Sequence, residues 1–112
     1  MSKYGNKKTI VRGIPFDSRA EGARYQELKL LEKAGEIRDL QLQPKFELIP
    51  KQPGERAVTY TADFMYEEKA PAEWVLIWRT IVEDVKGVKT KDYVIRRKLF
   101  KFRFPGIEFR EV

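Results

Sequence analysis

From Arg56 to Tyr66 the sequence alternates, with Ala57 and Met65 the apolar exceptions on the polar side. Val58, Tyr60, Ala62, Phe64 and Tyr66 fall on one side, and Ala57, Thr59, Thr61, Asp63 and Met65 on the other. A period of two is that of a β-strand with one buried face, because successive side chains leave a pleated strand on opposite sides. Leu40–Leu48 repeats the pattern: Leu42, Pro44, Phe46 and Leu48 stand against Gln41, Gln43, Lys45 and Glu47, and Pro44 marks an edge position or a bulge. Trp74–Lys86 is the most apolar stretch, which predicts a central strand covered on both faces. Trp74, Trp78, Phe64 and Phe102 sit at core spacing.

Two segments change period. Asp17–Ala34 reads as a helix: Ser18 is a good N-cap, Glu21 completes a capping-box pattern, and Gly35 ends it. Ala20, Ala23, Leu31 and Ala34 lie near one face, with Leu28 and Leu30 on the flanks. Thr90 caps a second helix to about Arg103, with Ile95, Leu99 and Phe102 at helical spacing before Pro105-Gly106 stops it. A short hairpin is expected over Thr9–Phe16 around Gly13, and a last strand over Ile107–Val112. The hairpin aside, the order is α-β-β-β-α-β, which defines an α/β class, here one domain over residues 1–112. Residues 1–8 are polar and expected to be loose.

The chain has no cysteine and no histidine. That removes disulfides, thiolate catalysis, cysteine-bound zinc, Ser-His triads and histidine general bases. Carboxylates with a hard cation become the leading catalytic option. The longest apolar run, Trp74–Trp78, is far below the ~20 residues that a bilayer needs, so no membrane partner and a cytoplasmic setting are expected. The net charge of +6 is unevenly placed. From Lys86 to Arg103 eight basic residues (Lys86, Lys89, Lys91, Arg96, Arg97, Lys98, Lys101, Arg103) face one acidic residue, Asp92. A basic stripe on an otherwise near-neutral chain suggests a polyanionic partner, although a solvated helix face would read the same way.

Within VEDVK, Asp84 and Lys86 point to one side of a strand, and Glu83 and Val85 to the other. Asp63 lies on the polar side of the preceding strand. If the two strands pair through the Glu67–Glu73 connection, the carboxylates of Asp63 and Asp84 can come together, with Gln43 bordering them. Neighbouring carboxylates repel unless a cation lies between them. Mg²⁺ uses few protein carboxylates and leaves its other positions to water and phosphate oxygens. A lysine on the same face can orient a water or stabilise charge on a transferring phosphoryl group. These residue types at this spacing fit phosphodiester hydrolysis.

The ordered set of a helix Glu, a strand Asp and then (D/E)xK on the next strand resembles the PD-(D/E)xK nucleases. The matching residues are Glu21 in SRAEGARY, Asp63 in YTADF and Asp84-Val85-Lys86 in VEDVKG. Over nearly its full length the chain is also similar to a family of small phage and prophage proteins, through FDSRAE, LLEKAGEI, LQPKFEL, TADF and VEDVKG. The resemblance implies a restriction-endonuclease-like αβββαβ core, a mixed sheet flanked by two helices. It implies that Asp63 and Asp84 hold Mg²⁺ or Mn²⁺, with the Val85 carbonyl as a further ligand. Glu21 would bind a second metal or its water shell, Lys86 would assist catalysis, and Gln43 would border the site. Ala62 stands where the PD half of the motif has proline. The implied substrate is branched or duplex DNA in phage DNA processing inside a bacterial host, gripped by Lys89, Lys91, Arg96, Arg97, Lys98 and Lys101. Related junction resolvases are homodimers, which makes a homodimer an expectation here.

Competing readings remain on the residues themselves. Glu21 could be only a helix cap, and Glu27 competes with it because it lies closer to the middle of the apolar helix face. Glu83 could take the place of Asp84 if the register slips by one. Asp84 and Lys86 could be a surface pair of little value. Tyr4, Tyr93 and Phe100 could touch nucleic acid. At the level of function, a non-catalytic nucleic-acid-binding module on the same fold and a phage interaction protein stand beside the nuclease.

Overall fold

The computed structural model describes residues 8–112; the expectations for Tyr4 and most of the N-terminal segment fall outside them. A hairpin of β1 (Thr9–Val11) and β2 (Ile14–Phe16) leads into helix α1 (Arg19–Lys33). Five strands follow: β3 (Ile37–Leu42), β4 (Lys45–Ile49), β5 (Val58–Thr61), β6 (Phe64–Pro71) and β7 (Leu76–Asp84). Helix α2 (Lys91–Arg103) and strand β8 (Glu108–Glu111) complete the chain. The main sheet has the order β3-β6-β7-β8, antiparallel except that β8 runs parallel to β7, so it is a mixed sheet with two helices. Among the described residues no helix is long and apolar enough to cross a membrane.

The two long alternating segments each divide in two. Together they form one extended hairpin, β3–β4 against β5–β6, broken at Gln43-Pro44 and Ala62-Asp63. Gln43 takes a positive φ of 49°, and the strands stay stitched across the break by Gln43 N–H to the Asp63 carbonyl and Ala62 N–H to the Pro44 carbonyl, both 3.0 Å. The break reverses the phase of the pleat. Tyr60 and Ala62 pack in a cluster with Val82, Tyr93 and Phe100 under α2, whereas Phe64 and Tyr66 pack in a second cluster with Phe16, Tyr25, Leu28, Ile37 and Ile81 beside α1. A single uninterrupted strand would have put all four on one side.

Helix α1 begins where expected, with Ser18 Oγ accepting from Glu21 N–H at 3.1 Å. Its buried face differs from expectation. It is Glu21, Gly22, Tyr25 and Leu28, at helical spacing, while Leu30 and Leu31 are exposed. The alanines had drawn the predicted stripe toward the wrong flank, since a small residue is cheap to expose and Tyr25 buries more area. Gly22 meets the N-terminal hairpin. A Cβ there would lie 2.7 Å from Thr9 Cγ2 and 2.9 Å from Val11 Cγ2. Gly22→Ala, which in an open helix stabilises by up to ~1 kcal/mol, is therefore expected to destabilise by about 1–3 kcal/mol. Urea unfolding checks this, and a midpoint at or above the wild type would mean that the hairpin does not press on α1.

Helix α2 buries Tyr93 and Phe100, with Val94, Leu99 and Phe104 partly covered. Ile95 is exposed, and so is Phe102 at 85%, so neither joins the core. Tyr93 and Phe100 are core residues rather than nucleic-acid contacts. The first half of β7 corrects another expectation: Trp74 is 87% exposed, Leu76 and Ile77 are exposed, and only Ile81–Val85 is buried on both faces. β6 also runs on to Pro71, so the β6–β7 connection is a tight turn rather than a loop from Glu67.

A candidate active site at the break in the sheet

Buried Asp84 and half-buried Lys86 extend from the same face of the β7 segment, with Lys86 Nζ 3.0 Å from Asp84 Oδ1. The other carboxylate oxygen accepts from the Tyr60 hydroxyl. The Lys86 ammonium also stands 4.3 Å above the Tyr93 ring, and the Tyr93 hydroxyl donates to Glu111 at 2.6 Å. Asp63 sits at the break itself. Its N–H donates to the Glu83 carbonyl at 3.1 Å, and its Oδ2 accepts from Val85 N–H at 2.6 Å. The break thus turns Asp63 toward β7.

Burial and the nearby Asp63 charge push the Asp84 carboxyl up to about 6, against the opposing pull of the Tyr60 hydroxyl and Lys86. Burial also raises the Tyr60 hydroxyl far above its ordinary value, with Asp84 adding to it, so Tyr60 stays a proton donor. The Asp63 charge adds to the cost of ionising buried Asp84, and a cation beside them would lower that cost. Among the described residues no three acidic side chains gather into a ready-made metal cage. The donors that the site offers are the carboxylates of Asp63 and Asp84. They suit Mg²⁺, which takes few protein carboxylates.

Glu21, 2% exposed, opens with Gln43 and Asp63 onto a cavity of about 250 Å³ whose apolar wall is Ile14, Pro15, Phe16 and Leu42. The structure therefore brings together two overlapping sets, Glu21–Gln43–Asp63 and Asp63–Asp84–Lys86, joined at Asp63. Glu27 does not compete: it is exposed and paired with Arg24 at 3.3 Å. Glu83 faces the opposite layer, fully buried. There Arg24 grips it with Nε at 2.8 Å and Nη2 at 2.6 Å, and the Tyr66 hydroxyl adds a third bond. The register is not slipped.

Tyr60 and Arg24 were not singled out from the sequence. A buried tyrosine hydroxyl needs a partner, and Tyr60 lies on the inward side three residues before Asp63, so its signal was present. Arg24 had none, because nothing in the sequence pairs it with a residue 59 positions away.

The basic stripe is not one surface. Arg96 donates to the Thr59 carbonyl at 2.9 Å and pairs with Asp92. Arg97 and Lys89 both reach Glu111, at 3.1 and 3.3 Å. Lys91, Lys98 and Lys101 are exposed on α2. Half of the expected phosphate-binding set is thus engaged in holding α2 and the segment before it to β5 and β8.

Fold and site together define an α/β domain whose mixed sheet holds two neighbouring carboxylates and a lysine where its strands break. Residues 1–112 match the family described as a protein of unknown function (DUF1064), and the chain belongs to that family. No curated protein and no solved structure matches it.

Proposed function

We propose that the protein is a metal-dependent DNA endonuclease of the PD-(D/E)xK kind, with branched or duplex DNA as substrate. The observation that carries the reading is the neighbouring Asp63–Asp84 pair with Lys86 on the same face of β7. The succession α1, β3, β6, β7, α2, β8, with the last strand parallel to β7, supports a restriction-endonuclease-like core. Asp63, Asp84 and the Val85 carbonyl would hold Mg²⁺ or Mn²⁺, which would supply Lewis-acid polarisation of the scissile phosphate and activation of a water. Glu21 and Gln43 orient water and phosphate from the cavity beside Asp63. Lys86 stabilises the charge that builds up on phosphorus-bound oxygens as water adds, the P–O bond breaks and the leaving oxygen takes up a proton. Linear, flapped and four-way DNA, incubated with and without Mg²⁺ or Mn²⁺ beside Asp84→Asn, tests the assignment.

A second reading, a non-catalytic nucleic-acid-binding module, rests on the exposed Lys91, Lys98 and Lys101 of α2. It predicts binding without cutting in the same assay. Under either reading, affinity for DNA falls steeply with salt, with a log–log slope of about −3 to −6. Lys98 and Lys101, exposed one turn apart on α2, are the residues to replace: the double alanine variant flattens the slope by roughly 1–2 units. An unchanged slope would mean that the outer face of α2 does not meet phosphate.

A further inference from the structure

The β6–β7 hairpin leaves the sheet. β3 accompanies β6 to the Ile37–Glu68 pair, with one further bond from Lys69 N–H to the Glu36 carbonyl at 3.0 Å, and β8 accompanies β7 only from Ile81 onward. The ladder between β6 and β7 continues unshifted to Pro71 and Leu76, and Ala72 N–H closes the turn on the Val75 carbonyl at 2.9 Å. On its outer side β7 has no strand beside Leu76–Thr80 among the described residues, and that edge carries neither proline nor bulge. Trp74, Val75, Leu76 and Ile77 are 87, 59, 51 and 45% exposed. Bare strand edges with apolar side chains on both faces are templates for another strand, and natural proteins do not usually leave them open.

We propose that this edge docks a second copy of the chain, the two β7 strands pairing antiparallel about a two-fold axis at Trp78. The stretch is self-complementary. Trp78 meets its own counterpart, Leu76 meets the partner's Thr80, and Ile77 meets the partner's Arg79; aromatic and apolar cross-strand pairs of this sort stabilise sheets. Each Arg79 brings its own Glu68 at 4.0 Å, which offsets the two guanidiniums that approach each other diagonally. The length also fits, because the free edge is bounded by the turn at one end and by the start of β8 at the other. Charge argues against DNA as the occupant. On the arm Lys69 and Arg79 stand against Glu73, a net charge of only +1, whereas the basic residues cluster after Lys86. The apolar surface on offer is on the order of 500 Å² per copy, short of the ~800 Å² per partner of a standard interface, so the dimer dissociates on dilution.

Sedimentation velocity of the full chain between about 1 and about 300 μM is expected to show a monomer–dimer equilibrium. Leu76→Lys with Ile77→Lys, both at exposed positions, leaves a monomer throughout with unchanged circular dichroism. The chain has no native cysteine, so Trp78→Cys provides a second readout. Thiols facing each other across the axis are oxidised by dissolved oxygen to a covalent dimer, since cross-strand Cβ atoms about 4.5–5.5 Å apart come close to disulfide spacing. The same change at exposed Val88, away from the arm, gives none. A wild-type monomer at every concentration, a dimer indifferent to the double lysine change, or equal cross-linking from both positions would each overturn the proposal. Loss of DNA binding in the double variant without any dimer to lose would assign the arm to nucleic acid instead. None of these outcomes depends on whether the protein cuts DNA.

Discussion

Asp63→Asn, Asp84→Asn and Lys86→Ala are each expected to slow DNA cutting at least ~10²-fold, equivalent to about 2.7 kcal/mol of lost transition-state stabilisation, while DNA affinity changes little. The expectation follows from where these groups stand. Asp63 Oδ2 accepts from Val85 N–H at 2.6 Å, beside Asp84 in the chain, and Lys86 lies 3.0 Å from Asp84. The two asparagines keep size and hydrogen-bonding shape but remove the charge that a divalent cation requires. Chelation should abolish the cutting, and Mn²⁺ should restore it. Glu83→Gln separates this from the slipped-register reading. Glu83 is gripped by Arg24 on the far side of β7, so its loss should lower stability, with catalysis affected only through the fold. Full activity in Asp84→Asn would end the assignment.

The second large effect concerns stability and runs opposite to most changes at a buried charge. The Asp84 carboxyl is held at about 6, above its ordinary 3.8. The folded state therefore binds a proton more tightly than the unfolded chain does. The stability this contributes is fully present below pH ~4 and is lost as pH rises through about 6. At pH 8 the ionised carboxylate costs the fold on the order of 3 kcal/mol, from 1.36 kcal/mol for each tenfold shift in proton affinity. Asp84→Asn removes that cost, keeps a partner for the Tyr60 hydroxyl and gives up the ion pair with Lys86. It should raise the metal-free Tm by several degrees at pH 8 and by little at pH 4.5. The variant should also lose the response of the wild type, in which ~10 mM Mg²⁺ acting on a millimolar site stabilises by about 1–1.5 kcal/mol. Thermal melts at two pH values, with and without Mn²⁺, give all four numbers. A variant that melts lower at pH 8 and still responds to Mn²⁺ would make Asp84 a structural partner of Lys86 and Tyr60.

The sequence revealed the elements more fully than the faces they present. Strand alternation, the Ser18 and Thr90 caps and the (D/E)xK spacing are local, and each corresponds to something in the fold: a strand pair, two helix starts, and Asp84 and Lys86 on one side of β7. What could not be read depends on distant partners. The pattern Val58–Tyr66 alternates, yet the backbone changes phase at Ala62-Asp63, and the reversal is visible only once Gln43 and Pro44 lie opposite. Pro44 hinted at an irregularity, but it could not say that two layers would share one hairpin. The core aromatics differ for a related reason: Trp74 and Phe102 are at core spacing, but nothing among the described residues arrives to cover them. The acidic and basic residues divided likewise. Lys91 and Lys98 are exposed as a stripe would require, whereas Arg96 and Arg97 are tied to Thr59 and Glu111, residues far away in sequence.

The phase reversal at Gln43 and Asp63 makes the β4–β5 end of the hairpin a separately adjustable part. Residues beyond the break are tied to α2, and residues before it to α1, so lengthening or trimming the exposed turn around Gln52–Glu55 alters neither layer's register with β7. One inserted residue between Leu42 and Lys45, or between Thr61 and Phe64, acts very differently. It would rotate an entire half-hairpin, sending the Tyr60 hydroxyl away from Asp84 and the Asp63 carboxylate away from Val85. Relatives of this chain should therefore vary freely in length at the turn and hardly at all at the break.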